Sequence, residues 1–189
     1  MSQKVVVLLS GGLDSAMVLA MLAPYYDCVA LGFDYGQAHR KELLHAEAVA
    51  DWLRVPFTRV RFEGLSGGLL SGGRNGADCV IPDRNLRFLG GALARFKGIR
   101  RVAIGANADD AAVFEDCRPE VLEQEADRLG VTLLMPIAET SKRDAYRAFS
   151  FQYRRMLRFL TWSCYEGKDI PCAVCDACVA RNHAFGARR

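Results

Sequence analysis

The stretch that most constrains the fold lies within the first fifteen residues, Val5-Val6-Val7-Leu8-Leu9-Ser10-Gly11-Gly12-Leu13-Asp14-Ser15. Its run of β-branched and aliphatic residues reads as a buried parallel strand. The run stops at a hydroxyl and two glycines, and Ala16 to Leu22 then carries helix-forming residues. A strand, a glycine turn and a helix N-terminus together make an anion site, because free backbone N–H groups point outward and the helix dipole adds positive potential. Gly11 and Gly12 let a phosphate approach the main chain, and Ser10 and Ser15 add hydroxyl donors. Asp14 can orient the loop or hold a magnesium ion. The Gly-Lys-Ser/Thr of a Walker A loop is absent, so this is a different phosphate cradle.

Further strands and helices alternate behind it. Cys28 to Asp34 reads as a second buried strand, and Arg40 to Leu53 carries a helical apolar stripe of Leu43, Leu44, Ala46, Val49, Ala50 and Leu53. Phe57 to Phe62 alternates as a short strand. Glu63 to Asp78 holds six glycines in sixteen residues, which reads as a loop. Asn85 to Lys97 resumes a helix, Arg101 to Gly105 is a fourth strand, and Pro119 to Gly130 is a helix with proline at its start and glycine at its stop. Val131 to Pro136 is a fifth strand, and Ser141 to about Leu160 reads as one long helix. The expectation is an α/β protein: a doubly wound, mainly parallel five-stranded sheet over residues 1–160, with a cysteine-rich segment, 161–189, packed on it. Ligands in such sheets bind at the carboxyl ends of the strands, where Ser10, Asp34 and Asn107 all fall.

Cysteine usage separates that last segment from the rest. Of seven cysteines, Cys164, Cys172, Cys175 and Cys178 crowd into fifteen residues, while Cys28, Cys79 and Cys117 are scattered. Four thiolates satisfy a closed tetrahedral zinc site and leave no position for water, so a structural zinc is expected. A Cys-x2-Cys-x2-Cys run also occurs in ferredoxin-type clusters. Only five apolar residues separate Lys4 from Ser10, and no apolar run approaches membrane-spanning length, so a cytoplasmic location without membrane contact is expected. A net charge of +3 is too small to imply nucleic-acid binding.

Ser10-Gly11-Gly12-Leu13-Asp14-Ser15 resembles the SGGxDS pyrophosphate loop of the PP-loop ATPases, which cleave ATP to AMP and pyrophosphate. Trp162-Ser163-Cys164-Tyr165-Glu166-Gly167 with Cys172, Cys175 and Cys178 is similar to the zinc motif of the 7-cyano-7-deazaguanine synthase family. Asp34-Tyr35-Gly36-Gln37 with His39 to Glu42, and Asp116-Cys117-Arg118, extend that resemblance over almost the whole chain. It implies an ATP-dependent carbon–nitrogen ligase that adenylates the carboxylate of 7-carboxy-7-deazaguanine. Ammonia then displaces AMP, and a second ATP converts the amide to the nitrile. It implies ATP, Mg2+ and Zn2+ as cofactors and favours a homodimer.

Carried onto this sequence, the resemblance assigns ATP binding to Leu8, Leu9, Ser10, Gly11, Gly12, Leu13, Asp14, Ser15, Ala16 and Asp34. It assigns substrate contacts to Gln37, His39, Arg84, Asn85 and Asn107, and catalysis to Lys142, Asp116 and Arg118. Asn107, Asp109 and Asp110 can also ligate magnesium. The family usually reads Pro-Gly-Arg-Asn where this chain has Pro82-Asp83-Arg84-Asn85, and Ser-Gly-Tyr-Pro where it has Ala112-Val113-Phe114-Glu115. These departures spare the ATP half of the chemistry and touch the half that selects acceptor or substrate. They motivate an alternative in which a protein amine captures the activated deazaguanine, as in relatives linked to antiphage defence. A non-catalytic RNA-handling module, similar to tRNA-thiolating relatives, is a third reading.

Overall fold

A computed structural model describes residues 3–65 and 80–186. Most of the glycine-rich stretch read as a loop, together with Cys79 and the terminal Arg188 and Arg189, lies outside those described residues. Five strands form one parallel sheet: β1 (Lys4–Leu8), β2 (Asp27–Asp34), β3 (Phe57–Arg61), β4 (Arg101–Ala103) and β5 (Thr132–Leu134), in the order β3-β2-β1-β4-β5. The order reverses between β2-β1 and β1-β4. The first loop therefore leaves the sheet at the switch point, where a crevice opens beyond the carboxyl ends of the strands.

Alternation along β1 feeds both faces of the sheet. Val5 and Val7 join a core with α1 (Leu13–Leu22), α2 (Glu42–Leu53) and the later helices, while Val6 and Leu8 join Leu89, Ala92 and Leu122 on the other side. That second layer is made by α3 (Arg84–Arg95) and α5 (Pro119–Leu129). Pro119 opens α5, and Gly130 at φ 69° closes it in a left-handed cap. Ahead of α5 in the chain lie a single turn, α4 (Ala108–Ala111), and a 3-10 turn at Glu115–Cys117.

The long helix expected from Ser141 to Leu160 is two helices, α6 (Lys142–Arg147) and α7 (Phe151–Leu160). Ser150 is extended at ψ 162°. The Tyr146 hydroxyl donates to the Arg154 carbonyl at 3.2 Å across the bend. The bend lets α6 pack against α8 (Asp176–Ala184) while α7 packs against α2, which one straight rod cannot do. Among the described residues, no helix is long and apolar enough to cross a membrane.

Candidate functional site

The loop after β1 is held by its own hydroxyls. Ser15 Oγ donates to the Gly12 carbonyl at 3.2 Å and accepts from Ser10 N at 3.3 Å, and Gly12 N donates to Ser10 Oγ at 3.2 Å. Gly11 sits at φ 94°, and a Cβ there would lie 2.0 Å from the Glu42 carbonyl oxygen. Gly105, just past β4, faces the same loop: a Cβ there would lie 2.7 Å from Ser15 N. Two neighbouring segments thus close on the loop only because neither contact carries a side chain. Gly11→Ala is expected to destabilise the fold by about 3 kcal/mol or more, combining backbone strain and overpacking. Thermal unfolding checks this, and an unchanged melting temperature counts against the packing argument.

A charge cluster borders the loop. Lys142 Nζ, at the start of α6, lies 3.1 Å from Asp14 Oδ2 and 3.5 Å from Asp110 Oδ1. The Lys142 backbone N–H donates to Asp109 Oδ2 at 2.9 Å. Burial pushes the Asp14 carboxyl up, Lys142 pulls it down and Asp110 pushes it up again, leaving it near 6 against an ordinary 3.8. Burial pushes the Lys142 ammonium down, but Asp14 and Asp110 outweigh that and hold it above its usual value. Asp14 Oδ1 is buried and has no hydrogen-bond partner among the described residues. Acceptor-only oxygens of two carboxylates, one of them unsatisfied, are the donor set a hard divalent cation takes.

Loop and cluster form one end of a cleft of about 460 Å3. Of the residues singled out from the sequence, Leu8, Leu9, Ser10, Gly12, Leu13, Asp14, Ser15, His39, Arg84, Asn85, Asp116 and Lys142 line it. Gly11, Ala16, Asp34, Gln37, Asn107 and Arg118 are not among the lining residues. Their positions have local causes. Asn107 is fully buried and caps α4, its side chain accepting from Asp109 N and Asp110 N. Asp34 pairs with Arg59, whose hydrogen bond holds the carboxyl below its usual value. Gln37 donates to the Phe33 carbonyl and to Glu42 Oε1, each at 3.3 Å. Arg118 is exposed, at the cap before α5.

The far end of the cleft is aromatic and densely charged. Phe88 stacks on Phe33 at 4.5 Å and meets Tyr35 at 5.6 Å. Burial pushes the Tyr35 hydroxyl up to about 12. Burial opposes the charge on Arg84, but Tyr35, Asp116 and Glu42 outweigh it and stabilise the guanidinium. Asn85 ties this end to the 3-10 turn, donating from N to Asp116 Oδ2 and from Nδ2 to the Asp116 carbonyl, both at 3.1 Å. The Cys117 thiol is pushed up to about 12, first by burial and then by Asp116, which makes it a poor nucleophile at neutral pH.

Phe88 and Glu42 were not given a role from sequence. Phe88 lies one helical turn before buried Ala92 and packs on the core beneath α3, so in the sequence it reads as an ordinary packing residue. Glu42 reads as an ordinary first-turn acid.

The four clustered cysteines converge as their spacing implies. Their sulfurs all lie within 4.8 Å of one another. Ligands at 2.3 Å from a tetrahedral zinc stand about 3.8 Å apart, so a small closure of the group accommodates the ion. Cys172 N donates to Cys164 Sγ and Cys175 N to Cys172 Sγ, each at 3.3 Å, the kind of N–H···S contact that favours thiolates. This module touches the phosphate loop directly: Trp162 N donates to the Gly11 carbonyl at 2.9 Å. The Trp162 ring stacks on His45 at 5.3 Å, with Lys41 Nζ 4.6 Å from its centroid.

The family described as Queuosine biosynthesis protein QueC matches residues 4–188 of this chain. The chain belongs to the QueC family. A 7-cyano-7-deazaguanine synthase of Ectopseudomonas mendocina (strain ymp) is 37% identical over 216 residues, covering 98% of this chain and 94% of that protein. One from Ruegeria sp. (strain TM1040) is 36% identical over 208 residues, covering 96% and 88%. Among solved structures, the U34-tRNA thiolase NcsA of Methanococcus maripaludis with its [4Fe-4S] cluster aligns with a TM-score of 0.56 at 17% identity, over 97% of this chain and 65% of that one. At that identity the likeness shows the shared fold alone. QueC membership agrees with the motifs at both ends of the chain. Neither relative's name points to acyl transfer onto a protein.

Proposed function

We propose that this QueC-family protein makes 7-cyano-7-deazaguanine from 7-carboxy-7-deazaguanine, ammonia and ATP. What carries the proposal is that relatives named for this product align over nearly all of the chain, including its phosphate loop and its cysteine module. A carboxylate is a poor electrophile, so an enzyme that aminates it must first give it a leaving group. The substrate carboxylate attacks the α-phosphate of ATP, and pyrophosphate departs with the electron pair of the broken P–O bond. The free backbone N–H groups of the first turn of α1 receive that charge, the loop hydroxyls of Ser10 and Ser15 hold the loop in shape for it, and Lys142 adds a cation. Ammonia then adds to the acyl carbon, the C–O bond to AMP breaks, and a proton leaves the nitrogen. The amide oxygen then attacks the α-phosphate of a second ATP, pyrophosphate departs again, and loss of both nitrogen protons and of AMP with the C–O electron pair leaves the nitrile. Asp14 and Asp110 would hold magnesium, which when bound neutralises part of the triphosphate charge. The four cysteines would hold zinc, closed to substrate.

Purified protein given the three substrates should release AMP and pyrophosphate and convert the base first to the amide mass and then to the nitrile mass. No AMP and an unchanged base overturn the proposal.

In the metal-free protein Asp14 makes stability depend on pH. Because its folded value is raised from 3.8 to about 6, the unfolded chain is ionised between those values while the folded one keeps the proton. Its contribution to stability is therefore lost as pH rises through that window. Asp14→Asn should flatten the fall in melting temperature between about pH 4 and pH 6, and an unchanged slope counts against a buried, raised Asp14.

A further inference from the structure

Between the phosphate loop and the aromatic wall, one carboxylate has no part in the adenylation chemistry. Glu42 is 8% exposed and lines the cleft. Among the described residues, its carboxylate's hydrogen bonds and ion pairs fall on Oε1: Gln37 Nε2 donates to it at 3.3 Å and His39 Nε2 lies 3.4 Å away. Gln37 is itself fixed by Tyr35 N, which donates to its Oε1 at 3.0 Å. The carboxylate is thus pinned through one oxygen, and its second oxygen makes none of these bonds.

Its charge bears on the Tyr35 hydroxyl and the Arg84 guanidinium, and all three residues line the same cleft. A carboxylate that lines the cleft with one oxygen outside these bonds can take donors from a ligand in place of water. A carboxylate close to a guanidinium offers acceptors beside donors. The six-membered ring of a guanine-type base offers the complement, a C6 oxygen beside an N1–H and a 2-amino group. Phe88 and Tyr35 supply an apolar face for a flat ring.

We propose that Glu42 and Arg84 read this edge, Glu42 accepting from N1–H and the 2-amino group and Arg84 donating to the C6 oxygen, with Gln37 as the positioning residue. The inference rests on the substrate proposed above and adds what selects it. Arg84 is then a reader of the ring carbonyl, and the base is held by its amide edge so that its carboxylate is left to the ATP end.

The test compares 7-carboxy-7-deazaguanine with its analogue lacking the 2-amino group, using the full-length enzyme. The parent should prefer the first by about 10- to 100-fold in kcat/KM. Glu42→Gln should raise KM for the natural base by a similar factor, leave KM for ATP unchanged and nearly erase the preference between the two bases. Arg84→Met should weaken both bases alike, because both keep the C6 oxygen. Equal losses on the two bases in Glu42→Gln, or a parallel rise in KM for ATP, would make Glu42 a scaffold carboxylate and overturn the proposal.

Equilibrium binding of 7-deazaguanine, which has the edge and no carboxylate, gives a readout independent of turnover. It should weaken about tenfold or more in Glu42→Gln, and unchanged binding overturns the edge reading. If that weakening occurs in an enzyme that never aminates the carboxy base, the reaction proposal fails and the edge reading stands.

Discussion

Lys142→Ala is expected to lower base-dependent ATP–pyrophosphate exchange by about 100- to 1000-fold, the usual effect of deleting one charge-stabilising donor at a reacting phosphate or acyl group. The ammonium reaches Asp14 Oδ2 at 3.1 Å and Asp110 Oδ1 at 3.5 Å, and the two side chains of the closer pair are only 14% and 18% exposed. Removing the lysine leaves two carboxylates facing each other in a site largely shut off from water. Stability should therefore fall by about 3 kcal/mol. The two effects separate in a double variant. Asp14→Asn added to Lys142→Ala removes one of the stranded charges and should restore much of the melting temperature without restoring exchange. If Lys142→Ala exchanges pyrophosphate within threefold of the parent, the lysine is a structural cation and the catalytic assignment is lost.

Metal removal is the second large effect. The protein should carry one zinc per chain, without the visible charge-transfer absorption of an iron–sulfur cluster. Chelation or Cys178→Ser should raise KM for ATP by about tenfold or more, although none of the four sulfurs touches the phosphate loop. The transmission is through Trp162, whose N–H holds the Gly11 carbonyl at 2.9 Å and whose Nε1 donates to the Cys164 carbonyl at 2.9 Å. The segment 161–186 buries few apolar side chains of its own apart from Trp162 and three of the cysteines, so the metal supplies what a larger core would. Tryptophan fluorescence and metal analysis during chelation follow the loss directly. Unchanged ATP kinetics in a metal-free protein would make the module independent of the site.

Legibility differed sharply between the two ends of the cleft. Ser10 to Ser15 and the four cysteines were readable because each is a short local pattern whose chemistry needs no distant partner. Gly130 as a helix stop was readable for the same reason. Asp34 and Asn107 read as lying at strand ends and Gln37 in the turn after the second strand, yet side-chain pairing took Asp34 to Arg59, Gln37 to Glu42 and Asn107 to the cap of α4. Position along a strand predicts where a residue begins, and hydrogen-bond competition decides where its side chain ends. The long helix from Ser141 failed on a related point. Its sequence is continuous in helix propensity, but two different packing partners made the bend at Ser150 worth more than an unbroken ladder of backbone bonds.

By itself, the sequence determined the alternating parallel architecture, the glycine loop between the first strand and helix, and the clustering of four cysteines, since periodicity, glycine placement and cysteine spacing are properties of neighbours along the chain. Tertiary structure alone decided that Lys142 meets Asp14 and Asp110, that the cysteine module grips Gly11 through Trp162, and that Glu42 and Arg84 line one cleft with the loop after β1. Each of these joins segments up to about 150 residues apart in sequence. No local pattern records such contacts, because they form only when the sheet order brings separate strand ends to one crevice.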